Sequence, residues 1–105
     1  MPLPRSNPYH EGLETLRRVY PGVAELAAAI GDALDAELVY GPEVVQEMIY
    51  FLCRGLLENP RTGGQHLLTQ LKMWYLEGAL SQTAFSILML HATALIDACI
   101  REETL

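Results

Sequence analysis

Basic charge is scarce in this chain. Seven Lys and Arg stand against thirteen Asp and Glu, and Lys72 is the single lysine. From Met73 to Ile96 the one charged residue is Glu77. A protein that grips nucleic acid neutralises phosphates with clustered Lys and Arg, so this balance argues against direct nucleic-acid binding. The run Gly78–Phe85 resembles the turn into a recognition helix, yet it carries no Lys or Arg to meet a phosphate.

Metal and nucleophile chemistry is equally thin. Two cysteines, Cys53 and Cys99, stand 46 positions apart with no CxxC. They build neither a disulfide scaffold nor a zinc site. Both fall on apolar stripes, where cysteine acts as a small hydrophobe, so both are expected to be structural and unlinked. The three histidines, His10, His66 and His91, include no pair at i, i+4. Gly63-Gly64 lacks the lysine of a phosphate-binding loop and follows no strand. Glu43 and Glu47 share a helix face, as do Asp32 and Asp35. They sit among other acids on solvent faces, where nothing separates their pKa values for acid–base work. The expectation is a non-enzyme with no catalytic residue, metal or cofactor.

Export and membrane signals are also lacking. The opening MPLPRSNPYHEG has three prolines and no apolar core, which does not match a secretory signal. A cytoplasmic location with reduced cysteines is expected. Gly78 to Ile96 runs 19 residues without charge. Ser81, Gln82, Thr83, Ser86, His91 and Thr93 interrupt it, so no membrane span is expected.

What the chain does have is helical periodicity. Half of its 105 residues are hydrophobic and 19% are charged, which suits one folded domain over 1–105, with 1–9 a Pro-rich arm. Leu13, Leu16 and Tyr20 mark a short N-terminal helix from His10 to Tyr20. Val23, Leu26, Ile30, Leu34 and Leu38 mark a helix from Pro21 to Val39. Val45, Met48, Ile49, Leu52, Cys53 and Leu56 mark one from Pro42 to Glu58. Pro21 and Pro42 suit first helical positions, and Gly41-Pro42 is a break. Asn59-Pro60 reads as a stop and Arg61–Gly64 as a loop. Leu67, Leu68, Leu71, Trp74 and Tyr75 mark a helix from Gln65 to Glu77, ended by Gly78. Ser81 caps the last helix, which runs to Glu102 on Phe85, Leu88, Ala92, Leu95 and Cys99. The class is all-α: a small bundle of four longer helices plus the short first one.

Two surface features remain. Between Glu25 and Glu58 seven acids face one base, Arg54, which reads mainly as a solubilising surface. The last two helices carry more apolar side chains than a bundle of this size easily covers. The residues expected at a partner or dimer interface are Trp74, Tyr75, Ile87, Leu90 and His91. Trp and Tyr dominate interface energetics, and Ile87 and Leu90 lie off the main core stripe. A homodimer is expected, since a two-fold contact buries such a face on both copies. Two other classes stay open. One is a small-molecule-binding bundle or accessory subunit, with Tyr75, His91 and Thr93 as candidate ligand contacts. The other is an acidic nucleic-acid mimic.

Size, acidity, helical pattern and the lack of catalytic motifs resemble the small bacterial quorum-sensing anti-activators that sequester LuxR-type transcription activators. Leu67–Glu77 and Ser81–Arg101 carry most of the likeness. The resemblance implies a homodimer that binds the ligand-binding domain of such an activator and blocks its dimerisation. It transfers no site residue to this chain.

Overall fold

Four helices follow one another in a computed structural model that describes residues 12, 14, 15, 18 and 20–104. They are α1 (Pro21–Glu37), α2 (Pro42–Glu58), α3 (Pro60–Leu76) and α4 (Gln82–Thr104). There is no strand among the described residues. Each helix packs on the next, and α4 returns to pack on α1. The expected arm 1–9 and most of the short helix over 10–20 lie outside the described residues; residues 12, 14, 15 and 18 are helical.

Local chemistry sets the boundaries. Pro21, Pro42 and Pro60 each open a helix, where their missing N–H is no loss. Ser81 Oγ accepts from the Ala84 N–H at 3.1 Å and caps α4. Gly78, at φ 82°, ends α3. Its N–H donates to Tyr75 O and the Ala79 N–H donates to Trp74 O, which is a Schellman closure. The connection then turns inward, and Ala79 and Leu80 are buried.

The core is the stripe set that the spacing predicts. Val23, Leu26, Ile30 and Leu34 from α1 meet Val45, Ile49, Cys53 and Leu56 from α2. Leu67, Leu71 and Trp74 from α3, Leu88 and Ala92 from α4, Ala27 from α1, and Ala79 and Leu80 from the last connection complete it. Each fully buried Leu or Ile contributes about 1.5–3 kcal/mol. Leu38 departs from its expected place. Helix α1 stops at Glu37, Leu38 takes a left-handed φ of 57°, and its side chain is 84% exposed. Turning the backbone one residue early moves the fifth apolar position off the stripe.

The segment expected as a loop is helix. Asn59 ends α2 and begins α3, and its Oδ1 accepts from the Thr62 N–H at 3.3 Å. The chain therefore reverses over one residue. That tight corner forces α2 and α3 together, and glycine is what lets them meet. A Cβ on Gly63 would lie 2.2 Å from Gly55 O, and one on Gly64 would lie 2.8 Å from Ile96 Cγ2. Gly63 and Gly64 are buried helix-contact positions, and the reading of 61–64 as a loop is corrected.

Candidate interaction surface

Helix α4 places its side chains in two classes. Leu88 and Ala92 are buried, flanked by half-buried Phe85, Leu95, Ile96 and Cys99. On the opposite side, Thr83, Ile87, Leu90, Ala94 and Ala98 fall at three- and four-residue spacing and are all exposed. Ile87 is 60% exposed and Leu90 75%. Among the described helices α4 packs chiefly on α3 and α1, and a helix apolar on most faces then leaves one of them exposed. The face is uncharged until Asp97, which pairs with Arg101 at 2.8 Å.

The other expected interface residues divide. Trp74 is fully buried at 0% exposure and belongs to the core; its place in an interface set is corrected. It lies on the same side of α3 as Leu67 and Leu71, so its size fills the bundle centre. Its Nε1 is buried without a hydrogen-bond partner. Tyr75 is half-buried and stacks on Phe85, with ring centroids 4.6 Å apart and planes 14° apart. That stack fixes α3 against the start of α4. His91 is half-buried, beside Leu90 and one turn from Ile87. The spacing missed Met73, 48% exposed, and Leu76, 81% exposed, on the outer side of α3. Their i, i+3 relation on the turn opposite Trp74 was the available signal.

Grooves of a few hundred Å³ indent the described surface. A groove of about 270 Å³ between α1 and α2 is lined by Ala24, Ala27, Gly31, Asp32, Asp35 and Gln46, among others. One of about 470 Å³ lies where the α2–α3 corner meets the end of α4, beside Leu56, Asn59, Cys99 and Glu102. Neither is lined by Tyr75, His91 or Thr93. Thr93 Oγ1 donates to Met89 O at 2.7 Å.

The thiols are free and poorly set for nucleophilic work. Burial pushes the Cys53 pKa up to about 12. Burial, with the charge of Glu102, also raises that of Cys99. A reactive cysteine needs the opposite shift. No group of three His, Cys, Asp or Glu side chains is gathered closely enough to hold a metal ion among the described residues. Comparison with protein-family models, curated proteins and solved structures finds no match to this chain.

Proposed function

We propose that this protein is a non-enzymatic, cytoplasmic regulator that binds another protein through the outer face of α4 and pairs with itself through the same face. One observation carries the reading: Ile87 and Leu90 are presented to solvent, at 60% and 75% exposure, on a helix face without charge. Exposed apolar stripes of this kind mark association surfaces when they are contiguous. The resemblance to quorum-sensing anti-activators supports a LuxR-type transcription activator as the partner, held away from its own dimer. The scarcity of basic residues supports action on a protein and not on DNA.

If one face serves both contacts, they compete. Apparent affinity for the partner then falls as the regulator's own concentration rises. The test is co-purification with the ligand-binding domain of a LuxR-type activator, wild type against Leu90→Glu. Circular dichroism first establishes that the variant is folded. The reading predicts retention by the wild type and loss by the variant, because a buried unpaired carboxylate costs several kcal/mol. Equal retention refutes it.

A second reading has its own observation. Gln82–Glu102 is long and apolar enough to cross a membrane, with mean hydropathy 1.7. Asp97, Arg101 and Glu102 fall inside or at the edge of that stretch, and Leu88 and Ala92 are committed to the bundle. Flotation with phosphatidylcholine vesicles separates the two readings. The first predicts that the protein stays in the aqueous fraction.

A further inference from the structure

We propose that the end of the bundle built by the α1–α2 and α3–α4 connections is a second binding surface, for a polypeptide segment that presents apolar side chains flanked by Lys or Arg. It is independent of the α4 face.

Leu38 adopts φ 57°, a conformation disfavoured for any residue with a Cβ, and its side chain is 84% exposed. A glycine would serve the turn better and lose almost no packing. Gly41, three residues on, has an ordinary φ of −69°. The strain therefore holds a leucine out in solvent, and an observed outlier of this kind points toward function. Val39 beside it is 50% exposed, and Leu76, at the end of α3, is 81% exposed. Tyr40 Oη donates to Glu77 Oε2 at 2.5 Å and ties the two connections into one surface.

Charge identifies the occupant. Glu37, Glu43 and Glu77 rim this end and are all exposed. The stretches 19–53 and 73–100 that build it contain no Lys or Arg. An apolar centre inside an acidic rim complements an apolar segment with basic flanks. The same rim is repelled by anionic lipid headgroups, which disfavours a membrane.

The test uses the full chain and defined probes. One is an amphipathic Leu/Lys peptide; a second has Glu at every Lys position; the third is a phosphatidylserine vesicle. The Leu/Lys peptide is expected to perturb backbone amide resonances of residues 38–41, 43, 44 and 76–78. Its affinity should fall with salt. It should drop at least tenfold in Leu38→Gly and in Val39→Ser, changes that alter no charge. The melting temperature of Leu38→Gly should equal or exceed that of the wild type. Amide resonances of Ile87, Leu90 and Ala94 should stay unperturbed, which separates this surface from the α4 face. Unaltered affinity in both end variants overturns the proposal. So do resonance changes centred elsewhere, equal binding of the Glu peptide, vesicle binding, or a lower melting temperature for Leu38→Gly.

Discussion

Replacing Gly63 with Ala is expected to destabilise the bundle strongly, although alanine is the better helix former. The propensity gain is about 1 kcal/mol. Against it, the new Cβ would lie 2.2 Å from Gly55 O, 2.3 Å from Gly55 C and 2.6 Å from Leu56 N. These are backbone atoms of α2 and cannot rotate away. Carbon contacts settle near 3.5 Å, so the helices must part by roughly 1 Å at their tightest point. Overpacking of this kind costs about 1–3 kcal/mol and occasionally more. The one-residue corner at Asn59 leaves no slack to absorb the shift, which argues for the upper end. The net loss is about 2 kcal/mol, or roughly 10 °C in melting temperature for a domain of this size. Gly31→Ala is the matched control. It lies inside α1, and its Cβ would meet Ile49 Cδ1 at 3.5 Å, an ordinary contact. It is expected to stabilise by about 0.5–1 kcal/mol. Thermal melts by circular dichroism read both. A Gly63→Ala protein melting at or above the wild type would refute the close-approach argument.

Two further outcomes follow from buried groups. Trp74 emission should be blue-shifted and shielded from acrylamide, and Leu90→Glu should leave it so, because the indole is enclosed by its own chain; free quenching would remove Trp74 from the core. Cys53 has a folded pKa raised to about 12, above that of the unfolded thiol. Its contribution to stability is therefore complete below about pH 8.5 and is lost as pH rises toward 12. Urea melts between pH 8 and 10.5 should show that decline, and Cys53→Ala should lose the part due to the thiol; identical pH slopes in the two proteins would contradict it.

The core was legible because four stripes repeat at three and four residues between breaks at Pro21, Gly41-Pro42, Asn59-Pro60 and Gly78–Ser81. Val23 to Leu34 and Val45 to Leu56 fell where that spacing put them. The corner at Asn59 was not legible. Asn-Pro-Arg-Thr-Gly-Gly has loop composition, which masks its own start signal of an Asn cap before Pro at the first helical position; the close approach of Gly63 to the α2 backbone is a tertiary contact that local spacing does not encode. Trp74 was misplaced for a related reason. Its residue type favours interfaces, but its position beside Leu67 and Leu71 decides burial, and position wins. Leu38 continued the α1 stripe on paper, while the chain had already turned. Ile87 and Leu90 could be separated from the core stripe because helix geometry alone puts them on the far side of Leu88 and Ala92.

The central claim is that the bare face of α4 is covered by another protein surface, first of all by a second copy. Sedimentation equilibrium at micromolar concentration tests it directly. The account predicts about twice the 11.7 kDa chain mass for the wild type, and the single-chain mass for folded Leu90→Glu. A wild type at 11.7 kDa across that range, or a folded Leu90→Glu protein that still pairs, would contradict it.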